Sequence, residues 1–527
     1  MAGCSLLFWI LLPNPGRSLA QIVSEDIIIR DGDPAGFAQD FAVAFEPGAT
    51  YVAWRDSRNN ATTGGDIYAQ KFDSEGVLLW EVNGLAICTV EGNQQLPAIT
   101  PDGAGGAVVV WLDGRAPNVD TISAQRISAS GTVQWPTDGV FVGVVIAAQP
   151  RPFVHRASDG GFLVTWWDAE PFFDPDDDML ALLAQKLDAS GEILWDIAGP
   201  EPDDVWGPGI EVMNGILRGR SVPDGAGGFL AFGKLQNGRG FRFQRVASDE
   251  SMPWTAQVDY EASLSDVVPF NFASDGTGGV VVVYRVGSTL RGIRVTADGS
   301  LAWGANGIDI LTSNLNTAQN FAVTGDGQGG AFIAWIASSP RDVRVQHFSA
   351  NGTAQWPAEG VIVPDLSSSE TDPAILADGS GGIFLSFDTF SSVRGQRLDS
   401  SGTAQWFDGG SNGLNLGVGN DPIIGQGATG PVVVYDRGFE LYARMIEVSL
   451  PSFLQLTGFE VSAQAVTMQL SGGEPGTVYE VLRTTALANP PSQSAWTVVG
   501  TIEPGGSWVD TNPHSTGAFY VVSEPAP

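Results

Sequence analysis

The sequence has few of the residues that build disulfide frameworks or histidine-based sites. Its 527 residues include 2 Cys and 3 His. Cys88 lies in the apolar stretch "GLAICTV" and is interpreted as a packing residue of a strand, not a nucleophile. Because the histidines are His155, His347 and His514 alone, a histidine-rich metal site or a Ser-His-Asp triad is poorly supplied.

Positive charge is also scarce. Lys and Arg total 26 against 59 Asp and Glu, which gives a formal net charge of −33. The lysines are Lys71, Lys186 and Lys234, so most of the positive charge is arginine. Such a surface repels phosphate backbones and anionic lipid headgroups, so neither nucleic acid nor a membrane surface is expected as a partner. The acidity itself is expected to keep the protein in solution, as a monomer.

Long hydrophobic runs are missing beyond the N-terminus. No stretch approaches the roughly 18 apolar residues that a membrane span needs. Leu6–Leu12 has the length of a signal-peptide core, and Ser18, Leu19 and Ala20 fit a cleavage site before Gln21. We therefore expect a signal peptide at 1–20 and a secreted, extracellular or cell-surface protein, without membrane insertion. Cleavage would leave one cysteine and hence no internal disulfide.

What the sequence contains in quantity is glycine, 67 residues, placed in a repeat. Five copies of "DGxGG" and a shortened "SDGG" each precede an apolar run that ends near an aromatic residue. The aspartates of these copies are Asp102, Asp159, Asp224, Asp275, Asp326 and Asp378. Weaker copies end at Trp54 and Tyr435, which makes eight units.

Each unit continues with a second signature. A Gln followed by a basic residue recurs, as in Gln70-Lys71, Gln125-Arg126 and Gln396-Arg397. A Gly and a Trp four residues apart then follow in most units, as in Gly131 and Trp135. Because these residues occur in nearly every unit, we interpret them as scaffold that joins strands or neighbouring units.

The repeat predicts an all-β fold. Asp-Gly supplies the positive φ values that tight hairpin turns need, and runs such as "AVVVW" are apolar on both faces, as a strand between two layers should be. About four strands a unit and eight units describe a β-propeller of about eight blades, with seven as the alternative count. A β-solenoid or a string of small sandwiches is the competing interpretation. The stretch from Asp26, "DIIIRDG", matches the tail of a unit and is expected to complete the last blade.

These "DGxGG…W…Q[KR]…GxxxW" units resemble a group of secreted bacterial β-propeller repeat proteins. The resemblance covers about residues 24–449 and implies architecture but no activity. From Pro451 the repeat stops, and the region 451–527 contains six or seven short predicted strands between Gly, Pro and Ser turns. That region looks like a fibronectin type III or Ig-like β-sandwich module.

Function is sought where the repeat breaks. The largest break, "WWDAEPFFDPDDDML", places Trp167, Asp168 and Glu170 on a predicted rim loop, and Trp206 on the next connector; these four are the candidate ligand-binding residues. Clustered carboxylates are ligands that Ca²⁺ prefers, which makes Asp174, Asp176 and Asp178 a candidate calcium site, although a solvated acidic loop is favoured. No other cofactor is expected.

Three functions follow from this pattern. We favour a secreted, non-enzymatic propeller that binds a glycan or a protein ligand. The first alternative is a carbohydrate-active enzyme, a glycoside hydrolase or lyase, which uses a pair of carboxylates on one propeller face. The second alternative is a structural component of an envelope or matrix.

Overall fold

A computed structural model describes most of the predicted repeat region and six strands beyond it. The described residues are 19–22, 26–31, 36–116, 119–145, 150–169, 180–195, 209–238, 240–261, 270–311, 321–338, 342–363, 370–389, 392–408, 411–438, 440–449, 455–461, 466–471, 479–484, 497–502, 507–510 and 519–523. Within these residues the structure contains no helix that could cross a bilayer.

The chain forms an eight-bladed β-propeller of four-stranded antiparallel blades, which confirms the count of eight. Blade 1 contains β3 (Ala38–Glu46), β4 (Ala49–Asp56), β5 (Asp66–Asp73) and β6 (Leu85–Cys88), and blade 2 contains β7 (Gln94–Pro101), β8 (Ala107–Ala116), β9 (Val119–Ile127) and β10 (Val140–Val145). Blade 3 contains β11 (Phe153–Arg156), β12 (Phe162–Ala169), β13 (Leu180–Leu187) and β14 (Ile210–Asn214). Blade 4 contains β15 (Ile216–Pro223), β16 (Phe229–Leu235), β17 (Gly240–Val246) and β18 (Val258–Glu261).

Blades 5 to 7 repeat the arrangement. Blade 5 contains β19 (Phe270–Ser274), β20 (Val280–Val286), β21 (Thr289–Val295) and β22 (Ile308–Leu311). Blade 6 contains β23 (Phe321–Gly325), β24 (Ala331–Ile336), β25 (Val343–Phe348) and β26 (Val361–Ile362). Blade 7 contains β27 (Thr371–Ala377), β28 (Ile383–Asp388), β29 (Val393–Leu398) and β32 (Leu414–Gly417). A small hairpin of β30 (Phe407–Asp408) and β31 (Ser411–Asn412) interrupts blade 7 before its last strand.

The N-terminal strand closes the ring, as the sequence predicts. Blade 8 consists of β33 (Asn420–Gln426), β34 (Pro431–Arg437), β35 (Glu440–Ser449) and β2 (Ile27–Arg30), and β2 pairs antiparallel with β35. A further strand, β1 (Leu19–Ile22), precedes β2. Just before β2, the carboxylate of Asp26 accepts a hydrogen bond from the Tyr435 hydroxyl at 2.9 Å and pairs with Arg437 at 3.0 Å. The N-terminal segment is therefore held in blade 8 by backbone pairing with β35 and by the contacts of Asp26 with Tyr435 and Arg437.

The apolar runs are buried on both faces because each blade packs between two others. In β8, Val109 and Trp111 lie in one hydrophobic cluster with residues of blade 1. The alternate residues Val108, Val110 and Leu112 lie in another cluster with residues of blade 3. Successive strand residues point to opposite faces, so only a run that is apolar throughout can fill both interfaces.

The aspartate of the "DGxGG" turn both stabilises the turn and pairs with a basic residue. In blade 2, Asp102 Oδ1 accepts hydrogen bonds from the backbone N–H groups of Ala104 and Gly106, both at 2.8 Å. Its Oδ2 pairs with Arg126 at 2.8 Å, and Arg126 also donates to the Ala189 carbonyl of the next blade at 3.0 Å. In blade 2 the basic residue of the Gln-basic pair thus joins its own turn to the neighbouring blade, in agreement with the scaffold interpretation.

The Gln and the Gly-x-x-x-Trp segment form the second recurring contact. Gln125 Oε1 accepts from the Trp135 backbone N–H at 3.0 Å, and Gln125 Nε2 donates to the Pro136 carbonyl at 2.8 Å. The glycine packs against the tryptophan of the preceding blade, since a Cβ at Gly131 would lie 2.9 Å from Cδ1 of Trp80. The four-residue spacing therefore places one blade's glycine beneath the previous blade's indole.

Cys88 is fully enclosed at the end of β6. Burial raises the pKa of its thiol to about 12, so it stays protonated. This agrees with its interpretation as a packing residue.

Beyond the propeller, the described strands form two three-stranded sheets. One sheet contains β36 (Gln455–Val461), β37 (Val466–Ser471) and β40 (Ser507–Asp510), and the other contains β38 (Tyr479–Thr484), β39 (Thr497–Ile502) and β41 (Phe519–Ser523). All pairings within them are antiparallel.

Candidate functional site

A cavity of about 610 Å³ lies where the innermost strands of the propeller begin. Its lining comes from five of those strands and from the segment before β11, so it is one end of the central channel, here called the channel mouth. Three aspartates, one arginine and three phenylalanines are prominent in the wall: Asp40, Asp372, Asp421, Arg151, Phe41, Phe270 and Phe321. The cavity volume lies in the range typical of small-molecule sites.

A β-bulge interrupts the innermost strand in five blades, and in blades 1, 7 and 8 its residues line the cavity. The innermost strand shifts register against its neighbour in blades 1, 2, 4, 7 and 8. In each bulge a residue other than glycine has a positive φ: 47° at Asp40, 53° at Leu96, 55° at Arg218, 44° at Asp372 and 48° at Asp421. Such a conformation costs on the order of 1–3 kcal/mol, and it redirects the side chain away from the regular alternation.

The bulge position is equivalent from blade to blade. Asp372 precedes its turn aspartate, Asp378, by six residues, as Arg218 precedes Asp224. In blade 3 the turn begins at Ala157, whose N–H bonds to the Gly161 carbonyl as that of Asp224 bonds to Gly228, and Arg151 lies six residues before it. The position therefore carries aspartate in blades 7, 8 and 1 and arginine in blades 3 and 4. In an eight-bladed ring, blades 7 and 8 lie opposite blades 3 and 4, so acidic and basic sides face each other across the mouth.

Carboxylates behind the acidic side influence one another. Asp388, at the end of β28, is 6% exposed and accepts a hydrogen bond from the Thr371 hydroxyl. Burial, together with the nearby charges of Asp372 and Asp421, raises the pKa of Asp388 to about 6. Burial and the charge of Asp421 likewise raise the pKa of Asp436. Negative charge is concentrated here, and protonation of Asp388 relieves part of it.

The basic side has the opposite character. Burial, followed by the charges of Arg151 and Arg218, lowers the pKa of Arg220 to about 10. The Arg220 guanidinium lies 5.5 Å from the ring centroid of Phe153 and donates to the Gly219 carbonyl at 3.0 Å. Arg151 lines the cavity, and the charges of Arg151 and Arg218 both act on the Arg220 guanidinium.

Asn271 lies in the wall but has a structural task. Its side-chain amide donates to the Phe321 carbonyl of the next blade at 3.0 Å, and its side-chain oxygen accepts from the Phe272 backbone N–H at 2.9 Å. Asn271 therefore ties blade 5 to blade 6.

The candidate ligand residues predicted from sequence are only partly covered by the structure. Trp167 is half-buried, and its indole donates to the Ile216 carbonyl of blade 4 at 3.1 Å. Asp168 is 1% exposed and follows Trp166 by two residues, the position that Asp113 takes after Trp111 in blade 2. Glu170 and Trp206 lie outside the described residues. The ligand-binding role of all four stays a prediction.

The proposed calcium ligands Asp174, Asp176 and Asp178 also lie outside the described residues. Among the residues that are described, no three His, Cys, Asp or Glu side chains are arranged to hold a metal ion.

Sequence analysis missed the three aspartates at the bulge. Two of them precede proline, in Asp372-Pro373 and Asp421-Pro422, and all stand a fixed distance before the glycine-rich turn. Alignment of the units on that turn would have shown one position whose charge changes around the ring.

No family model and no curated protein matches the chain. Among solved structures it is similar to the Dos1 propeller, with a TM-score of 0.44 and 9% identity over 80% of this chain and 94% of that one. A protein of unknown function from Dyadobacter fermentans gives a TM-score of 0.34 and 10% identity over 82% and 99%. Polysaccharide lyase Uly1 gives 0.33 and 9% over 77% and 90%. At these values no activity is carried over; the strand topology defines the chain as an eight-bladed propeller.

Proposed function

We propose that this protein is a secreted, non-enzymatic propeller that binds a small, positively charged ligand at the channel mouth. One observation carries the proposal: Asp40, Asp372 and Asp421, from three consecutive blades, line one cavity at the same strained bulge position. The same bulge occurs at Leu96 and Arg218, so what distinguishes blades 7, 8 and 1 is that their bulge residue is a carboxylate and lines the cavity.

The rest of the wall suits a cation. Phe41, Phe270 and Phe321 line the same cavity, and the face of an aromatic ring attracts an ammonium or guanidinium group. A desolvated cation beside carboxylates and aromatic faces gains both charge-assisted hydrogen bonds and cation–π attraction. The cavity volume favours a small molecule, or one protruding group of a glycan or protein ligand.

Export and a second module belong to the same proposal. The segment 1–20 acts as a signal peptide, which places the protein outside the cytoplasm or on the cell surface. The region 451–527 forms a fibronectin type III or Ig-like sandwich; its two three-stranded antiparallel sheets support this. The propeller binds the ligand, and the C-terminal module serves as spacer or attachment.

Calorimetric titration of the full chain with hexylammonium, guanidinium and tetramethylammonium tests the binding site. We expect saturable binding of at least one of these cations. Asp372→Asn and Asp421→Asn should each weaken it about tenfold, which corresponds to about 1.4 kcal/mol, because each removes a charge that faces the ligand. Affinity should fall with added salt.

Asp309→Asn is the matched control. Asp309 lies on β22, an outer strand of blade 5, where it pairs with Arg291 at 2.8 Å. It makes the same change of charge away from the mouth and should leave the affinity unchanged. Binding of no cation, or equal weakening by all three variants, would refute the proposed site.

A second function, hydrolysis, is favoured by one observation. Asp388 has a raised pKa of about 6 beside Asp372 and Asp421, and a protonated carboxyl beside carboxylates is the arrangement that an acid catalyst and its partner need. A screen of chromogenic glycosides and uronides tests it. Turnover that Asp388→Asn abolishes and Asp309→Asn preserves would establish the enzyme; ligand binding without turnover supports the binding module.

A further inference from the structure

We infer that Arg151, Arg218 and Arg220 form an anion subsite on the basic side of the channel mouth, and that this subsite takes the carboxylate group of a zwitterionic ligand. The inference rests on the proposed function, because it assigns the second end of a ligand whose cationic end meets the aspartates. It identifies the ligand class as small molecules, or free chain ends, that carry both charges.

The first argument is the contrast with other arginines of the propeller. Basic residues at the glycine-rich turns each pair with an aspartate, as Arg294 does with Asp275 at 2.7 Å. Within the described part of the chain, no ion pair engages Arg151, Arg218 or Arg220. The charges of these arginines act on one another, and among the described residues no carboxylate pairs with them, which favours the binding of an anion.

The second argument is that the cluster is built to stay in place. Arg220 lies over Phe153, whose ring meets Phe272 edge to face at 6.4 Å between centroids. A fixed, planar guanidinium suits bidentate contact with a carboxylate. Arg218 is held at a φ of 55° in its bulge, a conformation that strains the backbone.

The third argument is position. Arg151 lines the same cavity as Asp40, Asp372 and Asp421. Blades 3 and 4 lie across the ring from blades 7 and 8, so the two charged sides address opposite ends of one bound molecule. A singly charged carboxylate fits better than a phosphate, because three aspartates share the cavity and repel additional negative charge.

Three probes of equal chain length separate the two subsites: hexylammonium, caproate and ε-aminocaproate, each titrated by calorimetry against the full chain. ε-Aminocaproate should bind about tenfold tighter than hexylammonium, because it also reaches the arginines. Arg151→Gln and Arg220→Gln should remove that advantage and leave hexylammonium binding unchanged or slightly tighter. Arg220→Lys, which keeps the charge, should restore part of it.

Arg344→Gln is the matched control, since Arg344 lies on β25 and donates to the Glu359 carbonyl, away from the mouth. The subsite is refuted if ε-aminocaproate binds no tighter than hexylammonium, or if the advantage survives in Arg220→Gln. Inorganic phosphate that displaces caproate at equal concentration would refute the choice of carboxylate. If caproate binds in an Arg220-dependent way while hexylammonium does not bind, the anion subsite stands and the proposed cation site fails.

Discussion

Charged residues are arranged differently at the two ends of the innermost strands. At the glycine-rich turns, a carboxylate and a basic residue balance each other within one blade, as Asp224 and Arg245 do at 2.9 Å. At the bulges, charge is segregated around the ring, with aspartate on one side and arginine on the other. A repeated position that balances its charge locally is scaffold. A repeated position whose charge differs between blades has no such local partner in every blade, and it is there that we propose the ligand site.

The largest expected effect tests the scaffold end. Asp275→Ala should lower the free energy of unfolding by about 3–5 kcal/mol, because it leaves the Arg294 guanidinium and the backbone N–H groups of Thr277 and Gly279 without their buried acceptor. Urea denaturation followed by tryptophan fluorescence measures this. Asp309→Asn should change the same quantity by less than about 1 kcal/mol, since exposed ion pairs contribute little. Similar losses in both variants would break the distinction.

A smaller loss is expected from the buried amide of blade 2. Gln125→Leu removes the acceptor of the Trp135 N–H and the donor to the Pro136 carbonyl, which should cost about 2–3 kcal/mol of unfolding free energy. The control is Gln134→Leu in the same segment, because Gln134 is exposed. A loss in the control that equals the loss at Gln125 would contradict the assigned role.

At the channel mouth, removal of a carboxylate charge should stabilise the fold, because the carboxylates there repel one another. The pKa of Asp388 is about 6 in the folded protein against an ordinary value of 3.8. Its contribution to stability is thus present at low pH and is lost as the pH rises through about 6. Asp388→Asn should raise the melting temperature at pH values above 7, and the gain should shrink as the pH falls below 6. A gain that grows towards acid pH would show that Asp388 has no raised pKa.

The smallest effect comes from a reciprocal exchange at the turns. In blade 6 the basic position is His347, which pairs with Asp326 at 3.0 Å; in blade 7 it is Arg397, which pairs with Asp378 at 2.8 Å. His347→Arg should add about 0.5–1 kcal/mol to the unfolding free energy and Arg397→His should remove a similar amount, because the planar guanidinium offers more donors to the aspartate than the imidazole does. Chemical denaturation at neutral pH checks both. Equal signs for the two exchanges would exclude this explanation.

The fold was predictable from sequence because its signals are local and repeated. Three features recur in the chain: the turn glycines, the run that is apolar on both faces, and the Gln that accepts a hydrogen bond from the Trp135 backbone. Each can be recognised within a single unit, without knowledge of distant contacts. The closing strand was recognisable for the same reason, since "DIIIRDG" matches the tail of a unit.

The channel mouth was not predictable in the same way. The position of Asp372 has meaning only once the bulge sets its φ and the ring places it opposite Arg151. The search for function among insertions led instead to Asp168, which occupies a recurring strand-end position, and to residues that the structure does not describe. A site built from small differences between equivalent positions leaves no local mark in a single unit.

Ring closure by β2 has a consequence for synthesis. Asp26 and its partner Tyr435 are 409 residues apart in sequence. The first propeller strand to be synthesised therefore cannot pair until almost the whole domain has left the ribosome. Seven complete blades can assemble from neighbouring segments, whereas the eighth needs a loop to close over almost the entire domain. Until then β35 presents a bare edge. A nascent chain stalled at that stage is the form most exposed to mispairing with a second copy, and a chaperone that shields one edge would protect it.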